Sequence, residues 1–152
     1  MNTSQLKTIL LEHCKAFTEN RFEKVKNTIT SIEESLFDQS KSSAGDKHET
    51  GRAMLQIDRE NAGRQLHEIE KLQEILKKVD VTKSSKNISL GSLVETDMVT
   101  YFISISAGNV TLNKTQYCCV ALQAPIGQLL FGKKEGDSLI FNGKVIGIKS
   151  VN

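Results

Sequence analysis

Gly45-Asp46-Lys47-His48-Glu49 stands between two long stretches with helical periodicity, and its reading decides the fold. Upstream, residues 5 to about 39 contain no Gly and no Pro. Apolar residues recur there at Leu6, Leu10, Cys14 and Phe17, and again at Val25, Ile29, Ile32 and Leu36. The two sets do not share one heptad frame, which predicts a stutter between Phe17 and Phe22. Ser42, Ser43 and Gly45 then interrupt the pattern. Downstream, a second helix is predicted from Asp46 to about Val79, with a seam at Leu55, Asp58, Ala62, Gln65, Ile69, Leu72, Leu76 and Val79. Six of those eight positions are apolar, enough for a coiled-coil stripe that weakens toward the turn. A turn this short makes the helices antiparallel neighbours within one chain. At 1.5 Å per residue such a hairpin is a rod of roughly 50 Å, long enough to project from a small domain.

The pattern changes after the polar linker Thr82–Lys86. Tyr101–Ser106, Tyr117–Val120 and Val145–Ile148 are short and rich in β-branched and aromatic residues. Asn142-Gly143 lies between Leu139–Phe141 and Val145-Ile146 and predicts a tight hairpin. Pro125 is the only proline, placed to open a short helix over Pro125–Leu130 that Gly132 can end. The expected fold class is α+β. An antiparallel helical hairpin at residues 1–81 precedes a small antiparallel β domain with one short helix at 87–152.

Composition bounds the function. The 152 residues are 38% hydrophobic and 25% charged, with a formal net charge of +2, so bulk charge gives no case for wrapping nucleic acid. Residues 1–80 hold 13 Lys/Arg and 14 Asp/Glu; residues 81–152 hold 7 and 4, leaving the excess of positive charge in the β domain. The three cysteines, Cys14, Cys118 and Cys119, include no CxxC and no zinc spacing. Cys118 and Cys119 are adjacent on a predicted strand and point to opposite faces, at least one of them inward as a small apolar group. No apolar run approaches a membrane span and no secretory signal is visible, so reduced thiols in a cytoplasm are expected.

The carboxylates of the turn have two readings. Asp46 and Glu49 are spaced as a capping pair, which would turn Glu49 back onto the backbone of the second helix. The same spacing puts two carboxylates side by side at the end of a long arm, where they could meet a metal. His48 reads as a solvated turn residue, and Lys47, Arg52 and Arg59 as a solvated helix face. Of Tyr101, Phe102 and Phe131, at least two are expected in the core.

Two stretches resemble one family, the bacterial Gre (GreA/GreB) transcript-cleavage factors. Gly45-Asp46-Lys47-His48-Glu49 is similar to the family's Gly-Asp-Leu-Lys-Glu turn. Ala124-Pro125-Ile126-Gly127-Gln128-Leu129-Leu130-Phe131-Gly132-Lys133-Lys134-Glu135-Gly136-Asp137 is similar to its Ser-Pro-Ile-Ala-Arg-Ala-Leu-Ile-Gly-Lys-x-x-Gly-Asp stretch. The resemblance implies a coiled coil followed by an FKBP-like domain. It implies a monomer that binds RNA polymerase, reaches its secondary channel and stimulates cleavage of backtracked RNA, close to the nascent RNA. Asp46 and Glu49 would then be the working residues, helping to hold a Mg²⁺ of the polymerase active centre. The chain would be an accessory factor, with no cofactor of its own and with the polymerase as the enzyme. The sequence departs from the family where Arg52 replaces an acidic residue and Ala53 an aromatic one. A non-cleaving channel regulator is the alternative that those two positions favour. A peptidyl-prolyl isomerase is a further one, opposed by an aromatic content of 5% and the absence of Trp.

Overall fold

The computed structural model describes residues 1–40 and 46–152, the side chains of Asp46, Lys47 and His48 excepted. The expected break at Ser42, Ser43 and Gly45 lies outside the described residues. Helix α1 spans Thr3–Ser40 and helix α2 spans Asp46–Lys77. The chain divides into two compact units, Thr18–Gln73 on one side and Met1–Phe17 with Glu74–Asn152 on the other.

Thr18–Gln73 is an antiparallel helix pair. Ile29, Ile32 and Ala62 are buried at its seam, with Val25, Leu36, Leu55 and Leu66 packed around them. Glu33 of α1 pairs with Arg59 of α2, and the Leu36 carbonyl accepts a hydrogen bond from Arg52, so partner numbers fall along α2 as they rise along α1. The seam differs from the expected stripe at two places. Asp58 and Gln65 are exposed, while the neighbouring Arg59 is half-buried and Leu66 packs inward. A helix of 3.6 residues per turn drifts across a strict 3-4 frame, so either of two adjacent positions can take the inner place; burying Leu66 rather than Gln65 avoids desolvating an amide.

The start of α1 shows a reciprocal cap. Asn2 Oδ1 accepts from the Gln5 amide at 2.8 Å, and Gln5 Oε1 accepts from the Asn2 amide at 3.0 Å. Along α1 the buried positions are Lys7, Leu10, Leu11, Cys14, Thr18, Ile29 and Ile32, with Phe22 and Val25 half-buried between Thr18 and Ile29. Two consecutive steps of four, Cys14 to Thr18 to Phe22, break the 3-4 alternation where the stutter is expected.

The second unit is built on six strands: β1 Leu93–Thr96, β2 Thr100–Ser104, β3 Gly108–Leu112, β4 Thr115–Ala121, β5 Ser138–Phe141 and β6 Lys144–Val151. Their order is β3-β4-β2-β1-β6-β5. The sheet is mixed rather than wholly antiparallel: β4 turns back from β3 and inserts beside β2, to which it runs parallel with Phe102 opposite Cys119. The turns at Asn113-Lys114 (φ 49° and 66°) and Asn142-Gly143 (φ 51° and 76°) have the paired positive φ of tight hairpins. Helix α3, Pro125–Leu130, begins on its proline and ends before Gly132, whose φ is 81°. Gly127 is obligatory there, because a Cβ would fall on the Ala121 carbonyl oxygen.

Both faces of this sheet are covered. One carries Val94, Tyr101, Ile103, Val120, Leu139, Ile146 and Ile148, packed with Ile88 and with Ile126 and Leu130 of α3. The other presents Phe102, Ser104 and Cys119, each at most 1% exposed. The first four turns of α1 lie over that face. Cys14 Sγ meets Ser104 Oγ at 3.3 Å, and His13 Nε2 donates to the Ala107 carbonyl at 3.1 Å. The ammonium of the buried Lys7 donates to the Lys83 carbonyl at 3.0 Å, tying the linker to the same helix. Tyr101 and Phe102 therefore occupy the interior from opposite sides, as a period of two requires, whereas Phe131 is exposed.

Candidate functional site

The candidate site is built on the first turn of α2. Asp46 is the first residue of the helix and Glu49 lies three positions on, which places both on one helical face. Glu49 is exposed. The side chain of Asp46 and the whole of Gly45 lie outside the described residues, as does the side chain of His48. A helix N-terminus favours carboxylates, because its free amides carry partial positive charge.

The residues beside this turn are engaged with α1. Arg52 Nη1 donates to the Leu36 carbonyl at 3.2 Å, and Ser40 Oγ donates to the Phe37 carbonyl at 2.6 Å in the last turn of α1. A Cβ at Gly51 would come within 3.1 Å of the Gln39 side-chain nitrogen, so Gly51 leaves room for that side chain. Arg59 pairs with Glu33 at 3.1 Å. Arg52 and Arg59 were expected on a solvated face; Arg52 instead reaches the part-buried Leu36 carbonyl, while Arg59 stays on the solvated face and pairs there with Glu33. Ala53 is exposed, and so are three large apolar side chains, Phe37, Met54 and Ile57. Met54 and Ile57 share a face of α2, and Ile57 is eight residues from Glu49, about 12 Å along the axis. All three fall outside the seam read from the sequence, and the structure leaves them in solvent.

A groove of about 510 Å³ lies mid-hairpin, lined by Arg21, Lys24, Thr28, Arg64, Gln65 and Glu68 over Val25 and Ile69. Arg64 is about 22 Å along α2 from Glu49, so the groove is no part of the acidic turn. Among the described residues, no group of three His, Cys, Asp or Glu could hold a metal ion. Mg²⁺ takes about six oxygen ligands in near-octahedral array. Two carboxylates alone would supply only part of such a set. No helix among the described residues is long and apolar enough to cross a membrane.

Neither a family model nor a curated protein matches the chain. A solved structure described as that of the transcription factor Gfh1 is similar over 86% of this chain and 92% of its own, with 19% identity and a TM-score of 0.34. A likeness that distant assigns no function.

Proposed function

We propose that this chain is an accessory transcription factor of Gre type, which binds RNA polymerase and carries its acidic turn through the secondary channel to the active centre. The observation that carries this reading is the helix pair: its seam is closed within one chain, and exposed Glu49 stands in the first turn of α2 with Met54 and Ile57 exposed beyond it. A closed seam makes a stiff arm that needs no second copy. Exposed apolar side chains next to a carboxylate suit insertion into a protein-walled cavity, where they become buried. The resemblance of Gly45–Glu49 and Ala124–Asp137 to the Gre factors supplies the partner. A Mg²⁺ shared with the polymerase would contribute activation of water. This chain's part is to place carboxylate oxygens, with Arg52 and Arg59 holding the two helices in register behind them.

A second reading is a non-cleaving channel regulator. Two observations favour it: Arg52 is committed to the Leu36 carbonyl, and the small Ala53 stands exposed where the family carries an aromatic. The isomerase reading finds no support in the aromatic residues, since Tyr101 and Phe102 are spent on the interior. The test is co-purification of the full chain with RNA polymerase, followed by RNA cleavage in a stalled, backtracked complex at fixed Mg²⁺. Binding with stimulated cleavage supports the first reading, and binding without stimulation the second. Absence of binding overturns both.

A further inference from the structure

The three cysteines have no part in the proposed function, and two of them meet. Cys14 comes from the fourth turn of α1 and Cys119 from β4, and both are fully buried. Ser104 Oγ lies 3.3 Å from Cys14 Sγ. In the parallel ladder Cys119 is opposite Phe102, so Cys119 and Ser104 occupy the same sheet face, diagonal to one another. Cys14 Sγ, held against Ser104, thus faces the side of the sheet that carries Cys119, and each thiol shifts the ionisation of the other. Cys118 points to the other face, half-buried against the core that α3 covers.

We infer that Cys14 and Cys119 form a redox-modifiable pair, which hydrogen peroxide converts to a disulfide joining α1 to β4. The Cys14 sulfur attacks one peroxide oxygen; the S–O bond forms, the O–O bond breaks, and the departing hydroxide leaves as water with the thiol proton. The Cys119 sulfur then attacks the resulting sulfenic acid. The S–S bond forms, the S–O bond breaks, and a second water carries off the Cys119 proton. Two thiols lose two electrons and the peroxide is reduced to two waters. The roles follow from the surroundings. The hydrogen bond from Cys119, with help from Ser104 and His13, draws the Cys14 thiol down to about 7, whereas the same contact and burial push Cys119 upward. Cys14, with the Ser104 hydroxyl 3.3 Å away to support a thiolate, is the nucleophile, and Cys119 the resolving thiol. Access requires local opening of the first turns of α1, an event far smaller than global unfolding.

The disulfide would close a loop of about 100 residues, the class in which a cross-link restricts the unfolded chain most. The experiment treats the full native chain and its Cys118→Ala variant with hydrogen peroxide, then maps peptides without reduction. The expected result is a mass lower by about 2 Da in both proteins, a Cys14–Cys119 linked peptide, slower amide exchange over residues 6–17, and full reversal by dithiothreitol. Cys14→Ala and Cys119→Ala each abolish the linked peptide. Failure of the native chain to lose two thiols under peroxide that cross-links the urea-unfolded chain overturns the inference. So does a native product that contains Cys118.

Discussion

Asp46 and Glu49 carry the sharpest expectation at the level of single residues. Asn caps a helix nearly as well as Asp, so Asp46→Asn should preserve the start of α2 and the affinity for polymerase. Stimulated RNA cleavage should fall tenfold or more, equivalent to ~1.4 kcal/mol of transition-state stabilisation. Glu49→Gln should do the same if its exposed carboxylate is delivered to the active centre. Equal stimulation by wild type and both variants would end the acidic-turn mechanism. Gly127 is decided by space rather than chemistry. Gly127→Ala forces backbone to move away from the Ala121 carbonyl, and a cost of about 1–3 kcal/mol is expected in denaturant unfolding. A loss below the error of that measurement would show that α3 shifts freely. Cys118 gives a pH signature. Burial raises its thiol above the ordinary value of 9.0. As pH climbs through that value the unfolded chain releases the proton before the folded one, so stability is lost. Relative to Cys118→Ser, the wild type should therefore weaken progressively between about pH 8 and 10. Parallel profiles for the two proteins would remove this assignment.

Single elements show where local sequence was sufficient. The Asn142-Gly143 hairpin and the proline-initiated α3 were legible because both depend on backbone conformations that only a few residue types adopt. The capping pair expected at Asp46 and Glu49 falls on a side chain outside the described residues. A pair of the same kind, Asn2 with Gln5, closes the start of α1. It was overlooked because Asn and Gln at that spacing are a weaker signal than Asp and Glu. Gly63 interrupts α2 without a turn to justify it. A Cβ there would lie 3.1 Å from Arg59 Nη1, the far end of a flexible side chain. Gly63→Ala should therefore stabilise the helix pair by about 0.5–1 kcal/mol, because the chain no longer loses the entropy of a helical glycine. A lowered melting temperature would mean that the Arg59–Glu33 link is worth more than an exposed pair usually is.

For the whole molecule, the informative contact is that of the first turns of α1 with the sheet. A fragment limited to residues 87–152 should expose the face bearing Phe102, Ser104 and Cys119, and bind a hydrophobic dye strongly. A chain in which residues 18–73 are replaced by a short glycine-rich loop should stay folded and bind little dye. Equal dye binding by the two would show that α1 is not needed to complete that core. The antiparallel helix pair and the switch to β structure after the linker were determined by sequence alone. Each rests on periodicity or on residues that stop a helix, and both are properties of neighbours in the chain. The parallel placement of β4 beside β2, the meeting of Cys14 with Ser104 on the sheet face that carries Cys119, and the tie of Arg52 to the Leu36 carbonyl were decided only in the tertiary structure. Those outcomes depend on which of several equally apolar surfaces find one another. That is a matter of total burial and of satisfying backbone groups across the whole fold, which no local window of sequence contains.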